Sequence, residues 1–147
     1  MKPMHIGTLQ FPDDLFYLVE HQVWARVSAD HGVTVGITAL GIRVAGEIYM
    51  CRPKPVGAVL EQGKSVAVVE LAKSIVSVKS PVSGTVLETN TQLATAPELV
   101  HLDPYGQGWI ARLQADQLEG DLGHLLQGKA VKPAMEHYAR LYQVEQA

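Results

Sequence analysis

Gly57-Ala58-Val59-Leu60-Glu61-Gln62-Gly63 and Gly84-Thr85-Val86-Leu87-Glu88-Thr89-Asn90 are two copies of one pattern. Each runs Gly, small residue, Val, Leu, Glu, any residue, and ends on a residue that tolerates positive φ. Two such units, each a short strand entering a tight turn, predict a β-sandwich with quasi-two-fold symmetry. The point midway between Leu60 and Leu87 falls at Lys73. A lysine there would stand at the tip of a hairpin. Its flexible stem carries a primary amine that an enzyme can acylate. Acylation removes the charge and lengthens the arm, so the pattern points to a cofactor swung on a lysine amide.

The flanks of Lys73 predict that hairpin. Ser65-Val66-Ala67-Val68-Val69-Glu70-Leu71 is rich in β-branched residues and follows Gly63. Ile75-Val76-Ser77-Val78-Lys79-Ser80 alternates apolar with polar residues and stops at Pro81. Further out, Phe16 to Val27 and Gly32 to Thr38 predict a second hairpin around Ser28-Ala29-Asp30-His31-Gly32. Ala39 to Val44 predicts a helical turn with Thr38 as its N-cap. Gly46 to Cys51 predicts a strand ended by Arg52-Pro53-Lys54-Pro55, and Gly108 to Leu113 the last strand. Thr95 to Leu102 reads as a loop or short helix. Leu118 to Leu126 reads as a short helix ending at Gly128. A final helix starts near Pro133 and places Val131, Met135, Tyr138, Leu141 and Tyr142 on one face. Residues 1–12 read as a loose leader. The expected architecture is mainly β: a barrel-sandwich hybrid with short helices and a helical C-terminal tail. It forms a single domain over residues 1–147, with a core at about 15–114 and the tail at about 118–145.

Composition bounds the function. A hydrophobic content of 47% is enough for a real core, and a net charge of −3 without a basic, aromatic-interleaved patch gives no reason to expect nucleic acid. Met1 to Gln10 lacks the apolar core of a signal peptide, and the longest apolar runs are strand length, so neither secretion nor membrane insertion is expected. The single cysteine, Cys51, cannot close an internal disulfide. A cytoplasmic protein is the expectation.

Val69-Glu70-Leu71-Ala72-Lys73 followed by Ser80-Pro81-Val82-Ser83-Gly84 resembles the lipoylation region of the H proteins of the glycine cleavage system. In that family a Glu lies three residues before the lipoyl lysine and a Pro-Val-Ser-Gly turn begins eight residues after it; both offsets hold. Tyr17 to Trp24, Val33-Thr34-Val35-Gly36-Ile37-Thr38, Gly46-Glu47-Ile48, Asp103-Pro104-Tyr105-Gly106 and Gly108-Trp109-Ile110 resemble further family segments in the expected order. The resemblance covers roughly residues 15 to 114. It implies a non-catalytic carrier with lipoate in amide linkage to Lys73. Implied partners are a lipoate-attaching enzyme, dihydrolipoamide dehydrogenase and the enzymes of the served complex. There are departures. Ser74-Ile75-Val76-Ser77 stands where Ala-Ala-Ser and an acidic residue are usual. His21-Gln22-Val23-Trp24 is one residue longer than the family's His-Glu-Trp. Phe11-Pro12-Asp13-Asp14-Leu15 is more similar to the lipoate-binding proteins of bacterial sulfur oxidation. The first expectation is therefore a carrier of sulfur intermediates or electrons for a heterodisulfide-reductase-like complex. The alternatives are a glycine cleavage H protein carrying an aminomethyl group and an unmodified interaction module of the same fold.

Other residues weigh less. Lys64 and Lys79 lack the flanking symmetry of Lys73 and read as solvated charges. Biotin carriers resemble this pattern but carry methionines beside the lysine, where Ala72 and Ser74 stand here; lipoate is preferred. Glu70 reads equally as a recognition carboxylate for the attaching or partner enzymes and as a plain strand carboxylate. Cys51 reads as a buried small hydrophobe with nothing nearby to activate a thiolate. The histidines at 5, 21, 31, 101, 124 and 137 show no metal spacing. His21 reads chiefly as structural, with positioning of the arm as the sharper reading. Trp24 and Trp109 read as core aromatics, and Asp103-Pro104-Tyr105-Gly106 as a tight turn. No catalytic motif is present.

Overall fold

A computed structural model describes residues 4–144; residues 1–3 of the expected leader and 145–147 at the other end lie outside the described residues. The chain opens with a hairpin of β1 (Met4–Ile6) and β2 (Leu9–Phe11), turned at Gly7 with φ 59°. This corrects the reading of a loose leader. Ile6, Leu9 and Phe11 are buried in a cluster with Leu40, Val131 and Met135. Three apolar residues across so short a segment give too little periodicity to register as strands.

Then come β3 (Phe16–Leu18), β4 (Val23–Val27), β5 (Gly32–Ile37) and α1 (Ala39–Ala45). They are followed by β6 (Met50–Pro53), β7 (Val59–Leu60), β8 (Ser65–Glu70), β9 (Ile75–Lys79) and β10 (Gly84–Thr89). α2 (Leu99–Leu102), β11 (Ala111–Ala115), α3 (Leu118–Leu122) and α4 (Val131–Leu141) complete the described chain. One sheet has the order β3-β4-β5-β11-β10-β7 and the other β6-β8-β9. Val35, Leu113 and Val86 from the first sheet meet Cys51, Val66, Val69 and Val78 from the second in one core. Alternation puts these residues on the inner faces, which is how a sandwich closes, with Val66 turned inward at a register shift between Ser65 and Ala67. The fold is thus the mainly β barrel-sandwich that the sequence predicts.

Several boundaries differ, each for a local reason. The single strand expected from Phe16 to Val27 is broken by a helical turn at Val19–His21, where Gln22 takes φ 57°. The strand expected at Gly46 begins only at Met50, because Gly46 (φ 78°) ends α1 and the Ile48 N–H is taken by His101. Pro53 lies inside β6 rather than after it, as an edge strand allows. The last strand starts at Ala111 rather than Gly108, since the Gly108 N–H donates to the Asp103 carbonyl. α3 ends at Leu122, short of the expected Leu126. On α4 the buried face is Val131, Met135 and Ala139, while Leu141 and Tyr142 are exposed. Thr38 does cap α1, its hydroxyl accepting from the Gly41 N–H at 3.0 Å.

The duplicated pattern does not produce two equivalent units. Leu60 is buried, whereas Leu87 is exposed at a register shift between Val86 and Glu88. The copies instead pair with each other antiparallel, Leu60 opposite Gly84 and Val59 opposite Thr85. Gly63 has the expected positive φ of 86°, but Gly84 does not, and Asn90 sits at φ −81°, capping the next helical turn with its side chain.

Candidate functional site

β8 and β9 form a hairpin whose ladder runs Ala67↔Val78, Val68↔Ser77, Val69↔Val76 and Glu70↔Ile75. The Leu71 N–H donates to the Ser74 carbonyl at 2.8 Å, so Ala72 and Lys73 make the turn. β-branched residues favour the extended legs, and small residues beside Lys73 leave its stem clear. Lys73 is exposed, and no carboxylate among the described residues pairs with its amine. A free amine on a stiff, solvent-facing tip fits an amide-linked arm. The rival lysines lie elsewhere: Lys79 pairs with Ser65 at the hairpin's far end, beside Lys64.

Glu70 sits on β8 with its carboxylate 4.0 Å from the Arg52 guanidinium on the neighbouring strand. Both side chains are partly exposed, and such a pair contributes little to stability. Its carbonyl accepts from the Tyr49 N–H at 2.9 Å, which ties the chain before β6 to the base of the tip.

The far end of the hairpin is held by a network that the sequence did not announce. The buried Asp121 of α3 accepts from the Ser83 N–H at 2.6 Å. The Ser83 hydroxyl accepts from the Gln62 N–H at 2.9 Å, and the Gln62 amide donates to the Pro81 and Asp121 carbonyls. The Pro-Val-Ser-Gly turn is thereby tied both to the Gly63 turn and to α3. Asp121 is one acidic residue in a short helical stretch, and no spacing rule singles it out.

Beside the tip lies a mostly apolar cleft of about 280 Å³, walled by Leu71, Val76, Val44, Ile48, His21 and Tyr138 among others; none of its lining residues is a carboxylate. His21 therefore faces the cleft beside the hairpin tip, while Trp24 is fully buried with its indole N–H donated to the Pro104 carbonyl. Trp109 is only half-buried, which corrects its reading as a core residue. Asp103 to Gly106 is the expected tight turn, its carbonyl accepting from the Gly106 N–H at 3.1 Å. Cys51 is 3% exposed, and burial pushes its thiol up to about 12, consistent with a packing role. Among the described residues no His, Cys, Asp and Glu cluster could hold a metal, and no helix is long and apolar enough to cross a membrane.

The family model of the glycine cleavage H-protein matches residues 15–138. The chain belongs to the glycine cleavage H-protein family. It is 42% identical over 127 residues to glycine cleavage system H protein 2 of Aquifex aeolicus, covering 86% of this chain and 79% of that one. It is 39% identical over 131 residues to a glycine cleavage system H protein of Thermus thermophilus, covering 89% of this chain and all of the relative. The crystal structure of an H protein from Mycobacterium marinum superposes with a TM-score of 0.73 at 28% identity, covering 90% of this chain and 99% of that one. As an H protein it is a lipoyl carrier without catalytic activity of its own, with lipoate joined covalently to a lysine.

Proposed function

We propose that Lys73 is the lipoyl lysine and that this H protein passes its cargo between the enzymes of glycine cleavage. The observation that carries this is the exposed, unpaired Lys73 at the hairpin tip of a chain in this family. Bound lipoate supplies a dithiolane, a two-electron disulfide that exchanges with thiols and holds a group on sulfur. The chain's own residues do the presenting. The β8–β9 ladder keeps the tip extended, the Asp121–Ser83 bond anchors its base, and the apolar cleft offers the arm a place out of water. Glu70, three residues before Lys73 and fixed by strand pairing on both sides, is a recognition point for the attaching enzyme. Dihydrolipoamide dehydrogenase would return the arm to its disulfide form. Expression with lipoate and a ligase should add one lipoyl mass on the Lys73 peptide, and none to Lys73→Ala. The loaded protein should then support glycine–bicarbonate exchange in a reconstituted decarboxylase assay.

A second reading rests on the cleft. An aminomethyl group on sulfur is a cation at neutral pH, yet the cleft has no carboxylate, and Ser77 stands where the family usually has an acid. A neutral sulfur cargo, handed to a heterodisulfide-reductase-like complex, suits such a lining better. Exchange rates far below those of a genuine H protein at equal lipoylation, together with lipoyl-dependent binding to that complex, would favour this reading. Comparable exchange rates would reject it.

A further inference from the structure

The cleft beside Lys73 opens on an unpaired strand edge. Among the described residues β9 is hydrogen-bonded only to β8. The bond from the Leu71 N–H to the Ser74 carbonyl sets the phase of the ladder, so bonded pairs recur at Val69↔Val76 and Ala67↔Val78. The intervening residues point their N–H and C=O groups away from the hairpin. On β8 these groups face β6: the Tyr49 N–H donates to the Glu70 carbonyl, and the Lys54 N–H to the Val66 carbonyl. On β9 they belong to Ile75 and Ser77, and no described residue bonds to them. Val76, Ser77 and Val78 all line the cleft, although consecutive side chains of a strand alternate between faces. Val69 and Leu71 of β8 line it as well, on the same face as Val76 and Val78, so the cleft lies against that face of the hairpin and reaches the β9 edge at Ser77. The edge begins two residues after Lys73, and Ile75 and Val76 on it are 68% and 44% exposed.

We infer that the free edge of β9 is a strand-addition site for the enzyme that acylates Lys73, an extended segment of that enzyme pairing with the backbone of Ile75 and Ser77. This rests on Lys73 being the lipoyl lysine. Any enzyme that reaches the Lys73 amine must also cover the adjoining edge, and main-chain pairing there sets the register of the lysine against the active site. Pairing on an edge needs donors and acceptors in extended geometry, an exposed apolar flank and room alongside, and the β9 edge has all three. In the acylation the Lys73 nitrogen attacks the carbonyl of lipoate that the enzyme has activated with ATP as an acyl-adenylate. The C–N bond forms, the bond to AMP breaks, and one proton leaves the nitrogen.

Proline tests this directly. At position 77 it removes an N–H that β8 does not use, which edge strands tolerate. With a lipoate–protein ligase, Ser77→Pro is expected to lose roughly tenfold or more in kcat/KM for lipoylation while melting within a few degrees of wild type. In the unaltered protein, ligase binding is expected to protect the Ile75 and Ser77 amides from deuterium exchange. Full activity of Ser77→Pro, absence of that protection, or protection already present in a dimer without ligase would each overturn strand addition. Should Ser77→Pro unfold, the exchange measurement on the unaltered protein decides alone. If the wild-type chain gains no lipoyl mass at Lys73, it is the lysine assignment that fails instead.

Discussion

Gly84 and Gly63 are both glycines at turns, but for different physical reasons. A Cβ on Gly84 would fall well inside van der Waals contact of the Gln114 carbonyl oxygen on β11, a backbone atom that cannot swing aside. At Gly63 the space is open, and the constraint is φ 86° alone. Gly63→Val should therefore destabilise by about 1–2 kcal/mol, the cost of a left-handed L-residue. Gly84→Val should exceed it, at about 3 kcal/mol or more, because two strands must part. Urea denaturation of both variants checks the order, and equal losses would refute it. At Cys51 the thiol's upward shift to about 12 leaves very little thiolate near neutral pH. Alkylation by iodoacetamide at pH 8 should be far slower in the folded protein than in urea, and should accelerate as pH rises towards that value. Rapid labelling of folded protein would show that Cys51 is accessible.

At the scale of elements, what was legible depended on whether the signal was local. The legs of the Lys73 hairpin were readable because β-branched residues and a glycine turn lie next to one another. The Thr38 cap was readable because capping is settled within three residues. The repeat was visible but misleading: the copies pair with Leu60 opposite Gly84, so Val86 shares the buried face with Leu60 while Val59 and Leu87 are exposed. β6 began late because His101, 53 residues away in sequence, claims the Ile48 N–H. The site divides in the same way. The sequence singled out Lys73 and Glu70, which the structure places at and just before the hairpin turn, but not the cleft, because His21, Val44 and Tyr138 come from three separate elements. Asp121 was missed too, and it carries the prediction at this scale. Asp121→Ala would leave the Ser83 N–H and its surroundings without the carboxylate, at a cost of about 1.5–3 kcal/mol for a hydrogen bond to a charged group. Asp121→Asn, which retains an acceptor oxygen, should lose less. Thermal melts rank the two, and no difference from wild type in either would show that Asp121 does not anchor the hairpin.

For the whole molecule, the question is what the β1–β2 hairpin contributes, since the family match begins only at residue 15. It does not join either sheet of the sandwich. It packs instead on α4, and the Tyr105 hydroxyl locks it down by donating to the Gln10 carbonyl at 2.7 Å while accepting from the Ala39 N–H at 3.0 Å. One tyrosine thus joins the leader to the start of α1, the helix that supplies Val44 to the cleft wall. α4 supplies Tyr138 to the same wall. Removing residues 1–11 would strip Ile6, Leu9 and Phe11, each nearly fully buried, from α4 and Leu40. Each such side chain contributes about 1.5–3 kcal/mol of burial, so the loss is comparable with the whole stability of a small domain. The sandwich core shares none of the three and should survive longer than α4 does. The expected result for the truncated chain is a melting temperature lowered by more than about 10 °C. Amide exchange should also be faster throughout α4 and the start of α1, with β4, β5 and β11 still protected. The rim of the cleft would then loosen while the Lys73 hairpin stays intact, so the truncated protein should still accept lipoate on Lys73 and yet expose the loaded arm to added thiol reagents more readily than the full chain. Unchanged exchange in α4, or loss of the hairpin along with it, would show that the leader does not brace the cleft in this way.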